Sequence, residues 1–156
     1  MTNIYFPDEE ITSDDLYFIC YMTERVARRL HQRNRYVVNH IGQDGLRHLI
    51  SLANVLHAEN PQAVEDRWIE DYHLQNGNVD VTAVDRNLAE RIPTEIQMGK
   101  VYQRLIMDTM QPNEDYIDGM IRVYNNEICD KLDDYNCSAF YEPSYVVAEA
   151  YQAGEF

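Results

Sequence analysis

Five arginines stand within eleven positions of this chain: Arg25, Arg28, Arg29, Arg33 and Arg35, in the stretch RVARRLHQRNR. A guanidinium is a planar fork that grips a carboxylate or a phosphate through two parallel hydrogen bonds, so such a cluster offers one of two chemistries. It can hold an anionic ligand, phosphorylated or nucleotide-like, or it can pair with the protein's own acids. On a helix Arg25 and Arg29 lie one turn apart, as do Glu24 and Arg28, which gives one built-in ion pair and leaves a second cationic pair uncompensated. With 27 acidic against 13 basic side chains and a net charge of -14, internal partners are abundant. Pairing within the protein is therefore the expected fate of most of these forks.

Other residues with chemical potential are sparser. His40, Asp44 and His48 follow four-residue steps that would align metal ligands on an unbroken helix, but Gly42 and Gly45 interrupt it. Glu70 and His73 have the Glu-x-x-His spacing of di-iron bundles without the second such pair that the site needs. Residues 34–57 have the outline of a helix-turn-helix with Arg47, His48, Ser51 and Asn54 on one polar face. The chain's acidity would repel nucleic acid, which disfavours that reading. Cys20, Cys129 and Cys137 are an odd number without a Cys-x-x-Cys pair, so they read as packed thiols rather than a disulfide framework or a zinc site. Nucleophile-elbow, phosphate-loop, dinucleotide and zincin motifs are all missing. Catalytic residues are thus unassigned, and neither a metal nor a cofactor is expected.

The elements that must carry these residues are helical. Thr12 or Ser13 can cap a first long helix over residues 13–32, with Leu16, Ile19, Cys20, Val26, Ala27 and Leu30 inward and Asp14 and Asp15 at the positive end of its dipole. A short helix ends at Gly42, and a second runs from there to His57. Asn60 and Pro61 start another, since proline suits the first helical position. The sequence QNGN is a turn, after which alternating Val79, Val81 and Ala83 suggest a brief strand. Pro93 and Thr94 open the next helix, Pro112 and Asn113 restart the chain, and the last helix begins near Pro143 and Ser144 and stops at Gly154. At 45% hydrophobic and 26% charged, the composition is that of a globular domain rather than a disordered chain.

Charge is unevenly divided along this framework. Residues 1–57 hold six basic and seven acidic side chains, and residues 58–156 hold seven and 20. The tail DDYNCSAFYEPSYVVAEAY interleaves tyrosines with acids. Tyr135, Tyr141, Tyr145 and Tyr151, with Glu142, could anchor a partner that carries a basic surface, or could seal the end of the bundle. The N-terminus lacks the basic and apolar regions of a secretory signal, and no run approaches the roughly 18 apolar residues that span a bilayer, so a cytoplasmic protein is expected.

Three segments, DDLYFICYMTERVARRLHQRNRYVV, MGKVYQRLIMDT and NCSAFYEPSY, together resemble a group of small, functionally uncharacterised bacterial proteins of gut Firmicutes. The resemblance implies genes that accompany toxin-antitoxin-like cassettes, some with an ADP-ribosyltransferase-like member, and hence an accessory or neutralising role; it carries over no catalytic residue. The fold expected is all-α, a single bundle of five to seven helices over residues 1–156, with 1–11 an acidic N-terminal arm and a short strand or hairpin near 79–84. The function expected is that of an acidic, antitoxin-like interaction protein with a protein partner and no membrane. The alternative is an enzyme or binding protein for a phosphorylated ligand at residues 25–35. Homo-oligomerisation stays open.

Overall fold

A computed structural model describes residues 1–156. The chain is all-α: α1 (Ser13–Leu30), α2 (Asn34–Ser51), α3 (Ala53–Leu56), α4 (Pro61–Asp71), α5 (Glu95–Thr109), α6 (Tyr116–Tyr124), α7 (Cys129–Leu132) and α8 (Ser144–Ala153), with a 3-10 turn at Ala139–Tyr141. Six of these run nine residues or more, and α3 and α7 are single turns of four. No helix is long and apolar enough to cross a membrane.

Local chemistry sets the boundaries. Thr12 caps α1 by accepting from the Asp15 amide, while the Asp15 carboxylate accepts from the Thr12 amide at 2.8 Å. The helix ends two residues earlier than the periodicity suggests, because His31 turns into the left-handed region at φ 54° and its amide, with that of Gln32, bonds back to the last-turn carbonyls. Thr94 with Gln97 and Asp115 with Asp118 cap α5 and α6 in the same reciprocal way, while Asn60 caps α4 by accepting from the Gln62 amide alone. Gly42, at φ 75° and ψ 174°, breaks the helical backbone inside α2 and divides it into two helical segments at the glycine where the sequence places the boundary; the second segment runs to Ser51, and α3 carries the chain on to Leu56.

No strand forms near residues 79–84. The amides of Gly77 and Val79 donate instead to Leu30 and His31 at 2.8 and 2.9 Å, consuming carbonyls left free at the end of α1. The Asp80 carboxylate then accepts from the Thr82 amide and hydroxyl and curls the segment into a turn. A ladder would need those same donors.

The core is one cluster of 36 buried residues. α1 lies at its centre, packed against α5, α2, α4 and α3. It buries Leu16, Phe18, Ile19, Met22, Val26 and Leu30, more than one stripe, as a helix with neighbours on several sides must. α5 approaches α1 where Gly99 meets Tyr21: a Cβ there would stand 3.0 Å from the Tyr21 Cα. The acidic arm is a closed loop. The Ile11 amide donates to Met1, Thr2 and Glu10 form an isolated antiparallel bridge, and buried Asn3 donates to the Ser51 carbonyl at 2.8 Å.

Candidate functional site

Each arginine of the 25–35 stretch meets a carboxylate of this chain. Arg25 Nε sits 2.6 Å from Glu65 Oε2, and Arg29 Nη2 sits 2.6 Å from Asp66 Oδ1, so both fasten α1 to α4. Arg28 turns the other way: Nε donates to Glu24 at 3.0 Å, Nη2 donates to the Pro93 carbonyl at 2.7 Å, and Nη1 approaches Glu95 at 3.8 Å. Arg35 Nη2 donates to Asp130 at 2.7 Å, and Arg33 reaches the same oxygen at only 4.0 Å. Arg29 Nη1 also lies 3.6 Å from Glu65, so Arg25 and Arg29 share that carboxylate while Arg28 faces away from it, and the three forks do not converge on one open anion site. Arg33 and Arg35 alone line a cleft, one of about 610 Å³ that they share with Asp80, Asp130, Asp133 and Asn136.

Behind that cleft lies the most concentrated chemistry in the molecule. Glu24 is 1% exposed on α1. Its carboxylate accepts from Arg28, from the Tyr135 hydroxyl and, at 2.7 Å, from Asn34 Nδ2. The same Asn34 nitrogen lies 3.4 Å from Asp133, whose other oxygen accepts from the Tyr102 hydroxyl at 2.6 Å. A single amide thus bridges two carboxyls brought together from α1 and the end of α7. Asp133 shows an edge to the cleft, but its carboxyl is enclosed; burial, and then the negative charge of Glu24, push its pKa up to about 8, with Arg35 and the two hydrogen bonds pulling the other way. Tyr102 stacks on Tyr124 at 4.2 Å, and the Arg28 guanidinium lies 5.3 Å from the Tyr135 ring centroid. The residues of this network are Glu24, Asn34, Tyr102, Asp133 and Tyr135. Sequence reading paired Glu24 with Arg28 and placed Tyr135 in the tail, but nothing in local spacing joins the other members.

The tail divides in two. Tyr135 is 2% exposed, with its ring edge against Phe140 and its hydroxyl on Glu24, so it is a core residue and offers no anchor to a partner. Tyr151 is half-buried, and its hydroxyl accepts from Arg122 at 2.7 Å, which ties α8 to α6. Tyr141 and Tyr145, 56% and 65% exposed, and Glu142 do face water. They stand beside a groove of about 310 Å³ floored by Val101, Leu105, Phe140 and Val147. Lys100 and Arg104, neither in an ion pair, line its α5 wall.

The remaining candidates disperse. The Gly42 kink breaks the four-residue phase of His40, Asp44 and His48: His40 Nδ1 meets the Tyr36 carbonyl, and His48 meets the Tyr5 hydroxyl. His73 follows α4 with φ 53°. No three His, Cys, Asp or Glu side chains are grouped to hold a metal ion. Burial pushes the Cys20 and Cys129 thiols up to about 12, so both behave as apolar packing groups.

The architecture is an all-α bundle with a buried carboxyl pair and an exposed aromatic surface at Tyr141 and Tyr145. No protein-family signature, curated protein or solved structure matches this chain.

Proposed function

We propose that this protein is an acidic interaction protein of the bacterial cytoplasm, a neutralising or regulatory component that engages a partner through that partner's basic surface. One observation carries the reading. Of 27 acidic and 13 basic side chains, nine and eight meet one another in ion pairs, which leaves 18 carboxylates and five cations without an ionic partner. Eight of the 11 arginines are engaged in these pairs, and the unpaired carboxylates other than the enclosed Asp133 are left to steer a cationic surface. Affinity capture of the tagged protein from lysate of its native host, at low and at physiological salt, tests the reading. A basic protein retained in stoichiometric amount and released as salt rises is expected; recovery of this protein alone at both salts would count against it.

The cleft of Arg33, Arg35 and Asp133 supports a second reading, a phosphorylated or nucleotide-like ligand. Arg33 is its best handle, because at 4.0 Å its internal pair is the loosest in the stretch. A ligand at a hundred times its dissociation constant adds about 2.7 kcal/mol of stability. Unchanged melting in saturating inorganic phosphate and ATP would remove this reading.

A further inference from the structure

We infer that the N-terminal loop, residues 4–10, is the docking element for that basic partner, and that it inserts into an apolar pocket rimmed by lysine or arginine. The inference rests on the interaction reading above and gives it a surface. Ile4, Tyr5 and Phe6 are 53%, 47% and 42% exposed, and no other two of the large exposed apolar residues are neighbours in the sequence. Single exposed apolar side chains are ordinary, whereas a contiguous run marks a contact surface.

The run is also held still. Asn3 Oδ1 accepts from the amides of both Tyr5 and Phe6 at 2.9 Å, the Ile4 amide donates to Ser51 Oγ at 3.2 Å, and the Glu9 amide donates to the Phe6 carbonyl at 2.8 Å. The Tyr5 hydroxyl is fixed on His48. Ordering a loop around side chains that stay 42% to 53% exposed costs backbone entropy and recovers only part of their burial within this chain. A loop already in its bound shape gives up little more on association, which is what a docking element requires.

Charge then selects the occupant. Asp8, Glu9 and Glu10 follow the apolar run, all are exposed, and none is in an ion pair. The tail surface differs, because Lys100 and Arg104 line the groove beside Tyr141 and would repel a basic rim. A second copy could offer that groove to the loop, but a net charge of -14 on each copy opposes self-association.

Photo-crosslinking tests the inference with the full chain. The benzophenone amino acid p-benzoylphenylalanine is placed at Phe6, whose side chain makes no hydrogen bond, and separately at Tyr145 as the tail control. Each protein is irradiated in native-host lysate at low salt and at roughly 500 mM, where the screening length falls to roughly 4 Å. The expected result is one protein crosslinked through position 6, with the crosslinked peptide carrying apolar residues beside lysine or arginine. Its yield should fall about tenfold at high salt and about tenfold in the Asp8→Asn, Glu9→Gln, Glu10→Gln variant, the drop that follows losing about 1.4 kcal/mol of affinity. A salt-sensitive partner crosslinked only through position 145 would overturn the loop assignment and keep the interaction reading. Crosslinking of position 6 to a second copy of this chain would overturn the occupant. Absence of crosslinks at both positions, with no salt-sensitive capture, would overturn both proposals.

Discussion

Glu24 and Asp133 lie inside this molecule, and Asp8, Glu9 and Glu10 lie outside it; the contrast between these two groups of carboxylates separates what the charge does for the fold from what it leaves for a partner. The inner pair is bound from every side, by Arg28, Asn34, Tyr102 and Tyr135. The outer three have no cation. A buried charge persists only where hydrogen bonds and counter-charge replace water, while an exposed one needs neither. Removing the inner Glu24 should therefore damage the structure, and removing the outer three should damage only association.

The largest expected effect follows from Glu24→Ala. It leaves Arg28 Nε, the Tyr135 hydroxyl hydrogen and one hydrogen of the Asn34 amide without their acceptor around a void, and breaking a buried pair from one side costs about 3 to 5 kcal/mol. Urea denaturation reads the loss directly. A cost below about 1 kcal/mol would mean that water enters and replaces the carboxylate, and the inner group would then resemble the outer one.

Next in size is a pH effect at Asp133. Its folded pKa, raised to about 8, lies above the unfolded value of 3.8, so between those limits the native state holds a proton that the unfolded chain has released. The stability contributed by this group is fully present below about pH 4 and is lost as pH rises toward 8. Asp133→Asn keeps an oxygen to accept from Tyr102 and cannot ionise. Its unfolding free energy should decline less than the wild type's from pH 5 to 8, and the two curves should diverge most at the alkaline end. Parallel curves would show that Asp133 is charged throughout and that Asn34, Tyr102 and Arg35 compensate it.

Helix ends were legible because their chemistry is local. Thr12 or Ser13 before α1, Asn60 before Pro61, and Gly154 after α8 each act within a few residues, and the structure uses Thr12, Asn60 and Gly154. The turn at residues 79–84 was misread because alternation alone does not supply a partner for a strand; the donors that mattered went to the end of α1, more than forty residues back. The inner network was invisible for the same reason at greater range. Asn34 and Asp133 are 99 residues apart, and Glu24 and Tyr135 are 111 apart. Tyr135 looked like the other tail tyrosines by composition, and only the packing of Phe140 and the Glu24 carboxylate beside it distinguishes a core ring from an exposed one.

The smallest effect on stability is expected where the effect on binding is largest. In the Asp8→Asn, Glu9→Gln, Glu10→Gln protein no ion pair is lost, and surface changes of this kind stay within about 0.5 kcal/mol. The hydrogen bonds that shape the loop come from the backbone, Asn3, Ser51 and His48, and none of these is altered. Thermal denaturation should thus superimpose on the wild type at moderate salt, and relief of like-charge repulsion among three adjacent acids should raise stability slightly at low salt, if it moves it at all. A loss above about 1 kcal/mol would show that the outer carboxylates hold the loop in place. The distinction between inner and outer charge would then fail at the loop, and weakened partner capture by this variant would report a disordered loop instead of a missing electrostatic contact.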